Sequence, residues 1–253
     1  MAHDHVSLFV TCVVDLFGPD VGAAAVRVLR AAGAEVAVPD GQTCCGQPAW
    51  NSGFAKDAAA VAAQSLDALS AALDASPETT VVVPAGSCAT MIRVFWQELF
   101  DLVGDADRAA AARRVAAATR EFSEYVAERA ERLPLGELGG TVGYHHSCHM
   151  LRELRIESQP ETLLAAAGVT QADWASDRRC CGFGGLFSFK LPETSVAMAD
   201  DKLRTLTSSG CTDIVGCDTS CLLHLEARGH HEGTQVTVRH LAQVLDDALE
   251  TPT

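Results

Sequence analysis

Basic residues are scarce in this chain. Its 253 residues carry 19 Lys and Arg against 33 Asp and Glu, a formal net charge of −14. A surface that negative repels a phosphate backbone and argues against a nucleic-acid partner. The acidic surplus is expected to be a solvated face. Long apolar runs are missing too. None approaches the roughly 20 residues that cross a bilayer, so no membrane insertion is expected. No Lys or Arg precedes the short run Val6-Ser7-Leu8-Phe9-Val10. A secretory signal needs that basic start, and the chain reads as cytoplasmic. Two cysteine patterns are also absent. One is Cys-x2-Cys, the usual knuckle of structural zinc. The other is Cys-x2-Cys-x2-Cys-x3-Cys, the mark of a ferredoxin-type electron wire.

Cysteine itself is abundant: ten residues, in a chain otherwise composed like an ordinary globular protein, 48% hydrophobic and 21% charged. A chain of this length forms one or two domains and buries a core without disulfide staples. In a reducing compartment, many cysteines point to metal or redox chemistry.

The cysteines repeat. Cys12, Cys44 and Cys45 recur 136 residues later as Cys148, Cys180 and Cys181, and Cys88 recurs 133 residues later as Cys221. Each copy reads Cys-x31-Cys-Cys, then 42 or 39 residues of which the first is Gly, then Cys. Only Cys211 and Cys217 stand outside the pattern. β-Branched runs predict strands at residues 7–11, 35–39, 79–83, 141–144 and 213–215. Apolar spacing predicts helices over 21–32, 57–73 and 193–208, with Gly33 and Gly210 as stops. Each copy is expected to close on another helix, over 120–132 and 239–249. Strands alternating with helices imply an α/β fold of two pseudo-symmetric lobes, each a small parallel sheet flanked by helices. The Pro/Gly-rich stretch 134–140 sets the expected lobes at residues 1–137 and 138–253.

Sites in such sheets gather at the carboxyl ends of strands. Cys12 and Cys148 are expected at strand ends, and the Cys-Cys-Gly loops, Cys88 and Cys221 just past strands. All four cysteines of a copy therefore converge. Adjacent thiolates suit several shared irons better than one chelated zinc, and the following glycine lets the backbone approach closely. The spacing favours a multi-iron cluster, then zinc, then a dithiol redox pair. It leaves the cluster type open.

The motifs Thr11-Cys12-Val13-Val14-Asp15, Cys44-Cys45-Gly46-Gln47-Pro48-Ala49-Trp50-Asn51-Ser52-Gly53, Gly86-Ser87-Cys88, His146-Ser147-Cys148-His149, Cys180-Cys181-Gly182-Phe183-Gly184-Gly185 and Asp218-Thr219-Ser220-Cys221-Leu222 resemble the lactate-utilization branch of the cysteine-rich, Cys-Cys-Gly-repeat family. The likeness runs over residues 5–247. The cysteine-rich component of heterodisulfide reductase and the glycolate oxidase iron–sulfur subunit are more distant relatives. The resemblance implies an oxidoreductase component of an L-lactate-oxidising complex, working with two further lactate-utilization proteins, one carrying ferredoxin-type clusters. A heterodisulfide-reductase-like or glycolate-oxidase-like electron-transfer subunit is the alternative, and a non-catalytic zinc-stabilised assembly module a further one. The implied cofactors are iron–sulfur clusters of the [4Fe-4S] kind, with the non-cubane form open. Cys12, Cys44, Cys45 and Cys88 would hold one, and Cys148, Cys180, Cys181 and Cys221 the other. The heterodisulfide reductase pattern ends each copy in Cys-x-x-Cys. Here the first of those positions is Ala85 or Asp218. Cys217, next to Asp218, is a candidate substitute, and zinc at one site stays open.

Histidines surround the second copy: His145, His146 and His149 near Cys148, and His224 after Cys221. His149 and His224 are the candidates for proton transfer or cluster tuning. His230 and His231 are expected in a surface loop, and His3 and His5 in a frayed start. Trp50 is expected in the core, with Asn51 and Ser52 available to a pocket. Cys211 reads as a small buried apolar residue. Gly182-Phe183-Gly184-Gly185 fails as a dinucleotide fingerprint, because Phe187 occupies the third glycine position.

Overall fold

The computed structural model describes residues 4–250; His3 lies outside them. The first lobe runs β1 (Asp4–Leu8), α1 (Cys12–Phe17), α2 (Pro19–Ala31), β2 (Ala34–Ala37), α3 (Gln47–Trp50), α4 (Ala55–Ala75), β3 (Thr80–Val83) and α5 (Gly86–Thr90). A π-helical turn at Met91–Phe95 leads into α6 (Trp96–Leu102), α7 (Ala106–Ala118), β4 (Thr119–Glu121) and α8 (Phe122–Ala127). The second lobe runs β5 (Thr141–His145), a π-helical turn at Met150–Leu154, α9 (Ser158–Ala166), β6 (Thr170–Gln171) and α10 (Phe187–Lys190). It continues through α11 (Pro192–Ser208), β7 (Asp213–Gly216), α12 (Thr219–His231), β8 (Thr237–His240) and α13 (Leu241–Ala248).

Both sheets are wholly parallel and share one topology, β2-β1-β3-β4 and β6-β5-β7-β8. Side chains of a strand alternate between faces. Val81 and Val83 enter a core private to the first lobe, with α4, α6 and α7. Val6, Leu8 and Val82 enter a core shared with Tyr144 and Val215 of the other sheet. Around that shared core the helices pair reciprocally. Helix α2 lies on α13, and α9 on α8. Because α2 and α9 follow the first strand of each lobe, and α8 and α13 the last, the lobes are related by an approximate two-fold.

Three sequence expectations change. The helix expected over 120–132 begins instead as strand β4, and that over 239–249 as strand β8. Glu121 and His240 mark the true helix starts, each as the N-cap of a capping box. The strand expected over 7–11 ends at Leu8, and Thr11 caps α1 by accepting the Val14 N–H at 3.3 Å. Cys12 therefore opens a helix. Finally, His5 belongs to β1, and His230 and His231 close α12 instead of forming a loop. Among the described residues no helix is long and apolar enough to cross a membrane.

Candidate metal centre

The carboxyl ends of both sheets meet at one cleft of about 90 Å³, and all eight repeated cysteines line it. Each lobe supplies them from equivalent places. Cys12 opens α1, Cys44 and Cys45 sit in the loop before α3, and Cys88 lies in α5. Cys148 precedes the π-turn at Met150–Leu154, Cys180 and Cys181 precede α10, and Cys221 lies in α12. Gly46 and Gly182 turn the chain straight after each cysteine pair with φ of 85° and 93°. That left-handed backbone aims their N–H groups at Cys44 Sγ and Cys180 Sγ, each at 3.4 Å.

The sulfurs form two chains of contact. Cys45 Sγ is 3.2 Å from Cys88 Sγ, and Cys181 Sγ is 2.9 Å from Cys221 Sγ. All ten cysteines are free thiols. Hydrogen bonds from the Cys12 and Cys45 thiols pull Cys44 far below the usual thiol range, to about 3. Cys148 and Cys181 do the same to Cys180, to about 2. Hydrogen bonding to these two sulfurs, and then burial, push Cys12, Cys45, Cys148 and Cys181 upward. Four converging unpaired thiols with backbone N–H donors behind them are a donor set for a thiolate-bound metal group. On that chemistry the residues fit such a group at both sites.

The lobes are tied together at the cleft. The Ser87 N–H donates to Asp218 Oδ2 at 2.9 Å, and Gly86 N–H to the Cys217 carbonyl at 3.1 Å. Asp218 stands at one of the two positions where the heterodisulfide reductase pattern has a further cysteine, and it anchors the N-terminus of α5 instead. Cys217 stands apart from the quartet. It is fully buried, its sulfur 3.4 Å from Tyr144 Oη. Cys211 is also buried, facing the Thr141 and Asp213 carbonyls.

Of the histidines, His149 lines the cleft. Its Nε2 lies 3.3 Å from Gln47 Nε2, which itself donates to the Ser87 carbonyl at 2.9 Å. His224 lies behind the second Cys-Cys-Gly loop, 3.3 Å from Ser195 Oγ, and burial lowers its pKa. His146 is held by Glu161 at 3.1 Å and by the Tyr144 ring. Asn51 lines the cleft, Ser52 donates to the Pro48 carbonyl, and half-buried Trp50 rests on Phe95.

Two further residues emerge. His145 is buried, and its ring offers a ligand atom within 4.8 Å of the Cys181 and Cys221 sulfurs. Neither ring nitrogen has a hydrogen-bond partner. Buried Lys202 donates to the Ser176, Asp177 and Arg179 carbonyls, pinning the loop that ends in Cys180. Burial lowers its pKa to about 8. At the 136-residue offset the first copy has Phe9 and Leu66 instead. That contrast is present in the sequence, but what the copies share stands out there more than what only one of them has.

The comparisons agree with this architecture. The profile of a family described as a cysteine-rich domain matches residues 6–93 and 142–226. Lactate utilization protein A 1 of Bacillus mycoides is 39% identical, covering 96% of each chain. Lactate utilization protein A of an Exiguobacterium species is 38% identical over 97% of this chain and 98% of its own. That of Geobacillus kaustophilus is 38% identical over 95% and 98%. A crystal structure of a hypothetical protein from Helicobacter pylori shares the fold, with a TM-score of 0.65 at 9% identity. It matches all of this chain, which spans half of that one. With matching repeats in both lobes and near full-length relatives, the chain belongs to the lactate utilization protein A family of Cys-Cys-Gly cysteine-rich-domain proteins.

Proposed function

We propose that this chain is the iron–sulfur component of a cytoplasmic L-lactate-oxidising system. It takes its place beside two further lactate-utilization proteins, one of them with ferredoxin-type clusters. The observation that carries this reading is the meeting of two four-cysteine sets at one cleft between the lobes. A bound iron–sulfur cluster supplies one-electron redox chemistry. Cys12, Cys44, Cys45 and Cys88 hold one such group, and Cys148, Cys180, Cys181 and Cys221 the other. The Gly46 and Gly182 N–H groups stabilise thiolate charge. His149, held by Gln47 at the cleft, is the group placed to take a proton from a hydroxy acid. The absence of a ferredoxin-type cysteine run fits a chain that hands its electrons to a partner.

A single zinc at the second site is the other reading, favoured by the convergence of His145, Cys181 and Cys221. Metal and acid-labile sulfide analysis of protein purified without oxygen separates the two. The cluster reading expects about eight irons and eight sulfides per chain. Zinc without sulfide overturns it. Cys45→Ser and Cys181→Ser are each expected to lose one cluster and keep the other; unchanged iron in both refutes the ligand assignment. Deleting the gene is expected to abolish growth on L-lactate as sole carbon source. Growth intact in a strain with no other lactate-oxidising enzyme counts against the pathway.

A further inference from the structure

We propose that His145 ligates the metal of the second thiol site through a ring nitrogen, giving that site a histidine that the first site lacks. The inference rests on the reading that the quartets hold metal.

His145 ends β5, the central strand whose carboxyl end faces the cleft. It is 1% exposed, and both of its ring nitrogens are unpartnered. A buried imidazole without partners forfeits the hydrogen bonds it would make in water. That loss is removed if a bound metal occupies one nitrogen. One ring atom already lies within 4.8 Å of two thiol sulfurs that are themselves within that distance of each other. Three donors so grouped share one metal ion at ordinary Fe–S or Zn–S and metal–N lengths. The Asp177 carbonyl, which accepts the His146 N–H at 3.2 Å, is near the ring but not in hydrogen-bonding geometry with either of its nitrogens. Ligating histidines usually present their other N–H to such a carbonyl.

The first lobe shows what the site looks like without this residue. Phe9, at the matching position, is fully buried in the apolar cluster that also contains Cys45 and Cys88. Leu66 stands where Lys202 points three N–H donors at three carbonyls, the full complement of an ammonium. At these two matched positions the first lobe has hydrocarbon, and the second an imidazole and a buried cation. Both differences favour the more reduced, more negative state of the second group. Histidine in place of an all-thiolate shell raises the reduction potential of iron–sulfur centres. With both groups bound, the second would be the better electron acceptor of the pair.

The test is pulsed EPR on the reduced, anaerobically purified full-length protein, with iron, zinc and sulfide measured on the same samples. The expected result is a strong ¹⁴N coupling on one cluster. His145→Phe, which copies the first lobe, is expected to abolish it and to lower that cluster's midpoint potential. His145→Gln keeps a polar, similarly sized group and is expected to lose the coupling too. Iron and sulfide present without strong ¹⁴N coupling in the parent overturns the inference, as does a coupling retained in His145→Phe. Zinc without sulfide overturns the cluster reading instead. X-ray absorption at the zinc edge then decides about His145. A nitrogen in the zinc shell that disappears in His145→Phe supports the ligation, and an all-sulfur shell overturns it.

Discussion

Gly46 and Gly182 each follow a cysteine pair and take φ values that L side chains rarely adopt. Space is as restrictive as conformation. A Cβ on Gly46 would meet the Ala58 carbonyl oxygen at 2.7 Å, and one on Gly182 the Ser195 carbonyl oxygen at 2.5 Å. Both obstacles are backbone atoms, of α4 and α11, which cannot swing aside as a flexible side chain can. Alanine at either position is expected to cost about 1–3 kcal/mol and to push the paired thiols away from their partners. The expected outcome is that Gly182→Ala loses the second lobe's metal before the first lobe's, and Gly46→Ala the reverse. Metal content after gel filtration, with denaturant midpoints, checks this. Equal metal loss from both lobes in either variant would show that the glycines support overall folding only. At this scale the site was largely legible. Eight cysteines and both glycines announced themselves by repeating. Lys202 and the part played by His145 did not, because burial and the distance to a sulfur are properties of the folded chain.

Among the elements, the two closing helices α8 and α13 hold a matched pair of opposite charge types. Glu121 Oε2 accepts the Ser123 N–H at 2.7 Å, and His240 Nδ1 accepts the Ala242 N–H at 3.1 Å. Both caps are completely buried, each with one atom left unpartnered. Burial raises Glu121 to about 7 and lowers His240 to about 4. The linkage signs are opposite. The folded state binds a proton at Glu121 more tightly than the unfolded state, so its contribution falls as pH rises from about 4.5 through 7. The folded state resists protonation at His240, so its contribution falls as pH drops from about 6.5 through 4. Each is worth roughly 3 kcal/mol at 1.36 kcal/mol per unit, and they offset one another in the parent. Glu121→Gln is expected to leave a stability that rises with pH over this window, and His240→Asn one that falls. Denaturant midpoints between pH 4 and 8 test it, and two curves parallel to the parent's would refute it. The strands leading into these caps escaped the sequence reading for a physical reason. Thr119-Arg120-Glu121 and Thr237-Val238-Arg239-His240 are short and polar, and pairing with β3 and β7 makes them strands where propensity alone does not.

The whole molecule is two copies of one plan, but its core does not divide where the repeat does. We place the seam at residues 137 and 138, from the repeat and its Pro/Gly-rich junction. Across that seam the inner sheet faces, α2, α8, α9 and α13 form one apolar cluster. Its members include Leu29, Phe122 and Val126 from one side and Leu163, Leu164 and Leu245 from the other. The bidentate Arg27–Asp246 pair, at 2.7 and 2.6 Å, spans the same contact. Lying at the surface, it adds little beside that burial. Burying a large aliphatic or aromatic side chain is worth about 1.5–3 kcal/mol, while a domain's whole stability is about 5–15 kcal/mol. Exposing even these six residues forfeits a margin of that size. Residues 1–137 alone keep the core around α4, α6 and α7 but bare the other face of their sheet. That fragment is expected to lack a cooperative thermal transition and to self-associate, whereas co-expression with residues 138–253 restores a soluble pair with an intact cleft. Near-ultraviolet circular dichroism and sedimentation read both outcomes. A monomeric 1–137 fragment that melts cooperatively would show that the lobes are independent domains and that the shared cluster is only where they touch.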